Sequence, residues 1–246
     1  MAGLELLSDQ GLRIDGRKAD ELRRIRCSLG VFAQADGSAY LEQGNTKILA
    51  AVYGPHEIRG SRSKALHDQV LVNCQYSTAT FSMGERKRRP RGDRKSQEMS
   101  NHLVQTFQAA IRTELYPRSQ IDIFVEVLQA DGGNYSACVN AATMALVDAG
   151  IPLKDTVVSC TASLINGKPL VDVNHVEQSG GSPELVLSIL PQSEEIVYIS
   201  LTQRFHVEHL NQVMDTAMNG CKDVAAVLNE IIKDNLITLG AYNESS

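Results

Sequence analysis

Three groups of residues have types and spacings suited to chemistry. From Arg86 to Lys95, seven of ten residues are basic: Arg86, Lys87, Arg88, Arg89, Arg91, Arg94 and Lys95. Such density attracts phosphate groups, although a solvated loop would carry the same charges. The run interrupts a well-patterned stretch of chain instead of forming a tail. Arg94 and Lys95 fall at a helix start, where free amides add to the pull on a polyanion. The second group is a glycine loop, Asp131-Gly132-Gly133-Asn134-Tyr135-Ser136, between a strand and a helix. Glycines let backbone N–H groups approach an anion, but a strand-to-helix turn needs glycine in any case. The third is the acidic segment from Asp172 to Glu177. Two carboxylates there suit a divalent metal or acid–base work, and equally suit surface or capping roles. His175, alone among them, reads as a structural histidine. No P-loop, nucleophile elbow, HExxH or Rossmann fingerprint is present.

The elements that must position these groups follow from patterning. Residues 26–34, 38–43 and 46–53 read as three strands joined by the turn signals Asp36-Gly37 and Gly44-Asn45, an antiparallel meander. Gly54-Pro55 is expected to end the third strand. Residues 70–76 form another strand. Met99, Leu103, Phe107, Ala110, Ile111 and Leu115 make one helical stripe, with Asp93 or Ser96 as cap and Pro117 as stop. Residues 121–128 alternate as a half-buried strand. A small-residue helix over 137–149 closes at Gly150 and Pro152. Strands at 157–165 and 169–173 flank Asn166-Gly167, the strongest hairpin signal in the chain. Two more strands, 185–190 and 196–201, precede a long amphipathic helix marked by Leu210, Val213, Ala217, Cys221, Val224, Leu228 and Ile231. The order implies an α+β fold of mixed and antiparallel sheets packed with helices, one domain over 1–246 with an N-terminal extension at 1–20 and a polar tail at 240–246.

Composition narrows the classes. The chain has 246 residues, 43% hydrophobic and 22% charged, with net charge −5. Those values exclude disorder and collagen-like repeats. No apolar run approaches a membrane span, and the N-terminus lacks a secretory pattern. Five scattered cysteines without CxxC or zinc spacing imply reduced, buried thiols. Mild acidity argues against a whole-surface nucleic-acid binder but not against a local basic site.

Four blocks in order, RIDGRKADELRRI (13–25), ADGSAYLEQGNTKILAAVYGP (35–55), QADGGNYSACVNAATMALVDAGIP (129–152) and DVNHVEQSGG (172–181), resemble signature blocks of the RNase PH family. YGPHEIRG, FSMGERKRR and PRSQIDIFVEVLQADGG resemble its eukaryotic exosome ring branch. The resemblance implies the RNase PH fold and a hexameric ring around a pore for single-stranded RNA. Active members cleave RNA from its 3′ end with phosphate as nucleophile, releasing nucleoside diphosphates.

Three positions depart from the active pattern. Tyr135 stands where active members carry the Arg that holds phosphate, and a phenol cannot replace a permanently charged guanidinium. Asn134 replaces the Ser or Thr before it. Of two aspartates six apart, Asp172 is present and the second falls on Gln178, which cannot transfer a proton. Arg94 and Lys95 match the family's RNA-gripping pair, and Arg62 falls in its neck-lining loop. The expectation is therefore a non-catalytic ring subunit with a degenerate site at Tyr135, Asp172 and Gln178. RNA would be held by Arg62, Arg94 and Lys95, with no metal and no cofactor. The alternative is an active phosphate-dependent 3′-to-5′ exoribonuclease. Implied partners are other RNase PH-type subunits, cap subunits with RNA-binding domains, a hydrolytic nuclease and single-stranded RNA, with no membrane. Implied roles and places are RNA degradation and rRNA processing in nucleus, nucleolus and cytoplasm.

Overall fold

The computed structural model describes residues 6–8, 10–58, 68–86, 92–204 and 206–244. The first sheet holds β1 (Ile25–Leu29), β2 (Gly37–Gln43), β3 (Thr46–Glu57), β4 (Leu71–Thr78) and β5 (Ser119–Gln129), ordered β1-β2-β3-β5-β4. The expected meander is present as β1-β2-β3, each pair antiparallel. The β4–β5 pair is parallel, which requires a long crossover. Helix α1 (Arg94–Ala110) supplies it.

Strand β3 passes Gly54-Pro55 instead of stopping there. A register irregularity between Tyr53 and His56 accommodates the proline, which has no N–H to give a ladder. Helix α1 also ends earlier than Pro117. Ile111 is already extended and bridges to Leu153, so Leu115 falls in a short 3-10 turn.

The second sheet is wholly antiparallel, ordered β7-β6-β8-β9, from β6 (Val158–Ile165), β7 (Lys168–Val171), β8 (Glu184–Leu190) and β9 (Glu195–Leu201). Asn166 and Gly167, both at positive φ, form the expected hairpin turn of β6 and β7. Helix α2 (Asn134–Asp148) packs on β2 and β3 of the first sheet and β6 of the second. A helix between two sheets is buried on every face: residues 135–146 of α2 are all buried, and its polar Ser136, Asn140 and Thr143 are hydrogen-bonded to Ser159 and the Val157 carbonyl. Close approach needs small residues: a Cβ on Gly37 of β2 would lie 2.3 Å from the Ala145 carbonyl. Helix α4 (Val207–Glu244) covers β6 and β8 with Val213, Ala217, Cys221 and Val224.

A fourth helix, α3 (His175–Ser179), has no counterpart in the sequence reading. It is held by a capping box: the Glu177 amide donates to Asn174 Oδ1, and the Asn174 amide donates to Glu177. The five cysteines are all free, and four are buried.

Candidate nucleic-acid interface

A groove of about 670 Å³ opens where the two sheets and three helix ends meet. The start of α1 supplies Arg94, Lys95, Met99 and His102; the start of α2 supplies Gly133, Asn134 and Tyr135. Across from them stand Thr161 of β6, Gln178 of α3, Glu184 of β8 and Tyr198 of β9.

The basic side is made by the beginning of α1. Asp93 is its N-cap but makes no side-chain cap bond; Ser96 Oγ donates to the Asp93 carbonyl instead. Arg94 and Lys95 are exposed, and neither forms an ion pair among the described residues. Free cations beside helix amides attract an anion. Arg62 and residues 87–91 of the basic run lie outside the described residues.

The glycine loop is shaped by a structural need. Gly132 has φ +83°, and a Cβ there would sit 2.6 Å from the Val173 carbonyl oxygen and the Asn174 carbonyl carbon. Gly133 is the left-handed N-cap of α2 and offers no side-chain cap, so the first amides of α2 are left without one. The turn's need for glycine is thus shown, and the same turn places the start of α2 on the groove.

Tyr135 and Gln178 line the groove, but Asp172 does not. Asp172 lies behind Gly133, 1% exposed, at positive φ. Its carboxylate accepts from the Arg23 amide at 2.9 Å and from Arg23 Nη2 at 2.7 Å. Burial pushes its pKa up, yet Arg23's charge and hydrogen bonds outweigh burial and hold it below the ordinary carboxylate value. Glu177 is equally committed: Arg13 Nε donates to Oε1 at 2.7 Å, with both side chains inaccessible. The acidic segment therefore anchors the N-terminal arginines, and no three His, Cys, Asp or Glu among the described residues converge as a metal site.

Sequence reasoning missed Glu184. Its carboxylate accepts from Gln178 Nε2 at 2.7 Å on the groove wall. Burial raises its pKa; the Gln178 bond and the nearby Lys95 charge pull it back only partly. A lone Glu at a strand start gives no sequence signal. Tyr135 is also more than a substitution. It is 6% exposed, its hydroxyl lies 2.9 Å from Thr106 Oγ1, and burial raises its pKa.

Comparison with known proteins decides the family. Residues 21–152 match the 3′ exoribonuclease family, domain 1, and residues 155–220 match its domain 2. The chain belongs to the RNase PH family. It is 61% identical over 236 residues to the exosome complex component RRP41 of Homo sapiens, covering 96% of each chain. It is 47% identical to the RRP41 homolog of Arabidopsis thaliana, over 94% of this chain and 96% of that one. Rice Rrp46 shares its fold at a TM-score of 0.79 with 23% identity, over 89% of this chain and 100% of that one. A chain of the Archaeoglobus fulgidus exosome, solved with RNA bound to the active site, superposes at 0.76 with 21% identity, over 88% and 92%.

These matches confirm the expected α+β RNase PH fold. They overturn one expectation. The chain was expected not to be an enzyme, on the strength of Tyr135 and Gln178. Both matched regions belong to a family described as 3′ exoribonucleases, and two replaced side chains do not remove a chain from it.

Proposed function

We propose that this chain is a core subunit of an exosome ring and that its groove holds single-stranded RNA by the phosphates. One observation carries the reading. Arg94 and Lys95 stand exposed, without an ion pair among the described residues, at a helix start on a groove of nucleotide-accommodating size, in a chain 61% identical to an exosome component. Phosphate contacts position a strand without reading its sequence, which suits a subunit that threads many RNAs. Other RNase PH-type subunits complete the ring. Cap subunits present RNA at one end, and a hydrolytic nuclease receives it at the other. Degradation and rRNA processing in nucleus, nucleolus and cytoplasm follow from the same resemblance.

The test is photo-crosslinking of single-stranded RNA to the assembled ring. Crosslinks to peptides at the start of α1 are expected. Crosslinks confined to the outer surface would refute the reading.

Phosphorolysis in the same groove is the second reading, favoured by the match of both regions to an exoribonuclease family. Incubating the nuclease-free ring with RNA, magnesium and phosphate tests it. Phosphate-dependent release of nucleoside diphosphates is its signature.

A further inference from the structure

The groove has two chemically different sides. One is the exposed pair Arg94 and Lys95. On the other, three aromatic rings from three separate elements meet: His102 of α1, Tyr135 of α2 and Tyr198 of β9. The His102 and Tyr198 ring centroids are 5.0 Å apart, and those of Tyr135 and Tyr198 are 4.8 Å apart. Their planes are inclined by 40° and 41°. His102 and Tyr135 meet edge to face at 6.4 Å.

Hydrogen bonds fix the orientation of each ring. The Tyr198 hydroxyl lies 2.8 Å from His102 Nδ1, and the Tyr135 hydroxyl lies 2.9 Å from Thr106 Oγ1. Tyr135 is buried and forms the floor; His102 and Tyr198 are half-buried and keep surface in the cavity. Pre-oriented rings lose little freedom when a flat ligand packs on them. Single-stranded nucleic acid offers two features to a protein, a charged backbone and the π-faces of its bases. The two sides of this groove match those two features.

Spacing links them. Lys95 and His102 are seven residues apart on α1, two turns or about 10 Å along the axis. At about 3.4 Å per stacked nucleotide, that is roughly three nucleotides.

We propose that His102 and Tyr198, floored by Tyr135, seat one nucleobase of the RNA, within about three nucleotides of the phosphates held by Arg94 and Lys95. The proposal rests on the reading of the groove as an RNA site. Stacking tolerates any base, so the seat grips RNA without selecting sequence.

The experiment uses the assembled ring and RNAs carrying 2-aminopurine at one of the last several 3′ positions, with abasic counterparts. Quenching is expected at one position and not its neighbours. Tyr198→Leu keeps apolar bulk but removes the ring. It should relieve the quenching and weaken binding about tenfold. Tyr198→Phe keeps the ring and should keep the quenching. An abasic site at the quenched position should weaken the unaltered ring by a similar factor and leave the Tyr198→Leu ring unaffected. If neutralising Arg94 and Lys95 weakens binding while no position is quenched, the seat alone is overturned. If that neutralisation changes nothing, RNA does not occupy the groove, and the reading falls with the seat. Equal abasic penalties in both rings would also overturn it.

Discussion

Arg23 and Asp172 form a buried, two-point pair: the Arg23 amide and guanidinium both donate to the Asp172 carboxylate, at 2.9 and 2.7 Å. The same guanidinium donates to the carbonyls of Asp131 and Gly132. One arginine thus ties the N-terminal segment, the glycine loop and the segment after β7 behind the groove floor.

Asp172→Asn should therefore act first on stability. Removing one partner of a buried pair costs about 3–5 kcal/mol, because the other charge stays buried. Denaturant unfolding should show that loss near neutral pH. The folded pKa of Asp172 lies below its ordinary 3.8. The pair's contribution is therefore full above pH 4 and is lost as pH falls through the lower, folded value. The gap between native protein and variant should close in acid.

Gly132→Ala should fail for a local reason. Its φ of +83° disfavours a Cβ, and the atom would press within 2.6 Å of backbone at Val173 and Asn174. A loss of at least about 2 kcal/mol is expected. Gly150→Ala is the comparison: its φ is +68°, but nothing lies within 4 Å of its Cβ. A thermal melt in which both variants fall equally would assign the cost to strain alone.

Glu184→Gln should strengthen RNA binding by the ring at neutral pH, since it removes a negative charge from the groove wall while keeping an amide beside Gln178. Burial holds the Glu184 pKa above its ordinary 4.5. A raised carboxylate favours the folded state when protonated, so its stabilising share is present in acid and is lost as pH rises through the folded value. The variant should thus be no less stable than the native chain at pH 7, as chemical denaturation would show.

Much of this was legible because patterning reports burial. The meander, the helical stripe of α1 and the Asn166-Gly167 hairpin all follow from alternation, helical stripes and turn residues, whereas the parallel β4–β5 pairing that α1 bridges was not read. Boundaries failed where tertiary contacts took over: β3 runs past Pro55 by a bulge, and α1 yields to the Ile111–Leu153 bridge. The capping box that makes α3 was written in the sequence as Asn174 and Glu177, but five residues carry no periodicity. In the site, Arg94, Lys95, Tyr135 and Gln178 do converge. The roles of Asp172 and Glu184 could not be read, because they depend on which arginine or amide the fold brings near: Arg23, 149 residues away, for one, and Gln178 for the other.

Neutralising Arg94 and Lys95 together should weaken RNA binding by the ring and flatten its dependence on salt. For single strands the log–log slope is about −0.7 per neutralised phosphate, so losing two contacts should reduce its magnitude by about 1.4. The loss should be greatest at low salt and should be similar for RNAs of different sequence, because phosphate contacts carry no base information. Fold and assembly should be untouched, since both side chains are exposed and neither holds an ion pair among the described residues. A titration in which affinity is unchanged at every salt concentration would make this pair a solvated helix start and nothing more. A loss confined to one RNA sequence would instead mean that these side chains read a base edge, a different mechanism from the one argued from their place beside the α1 amides.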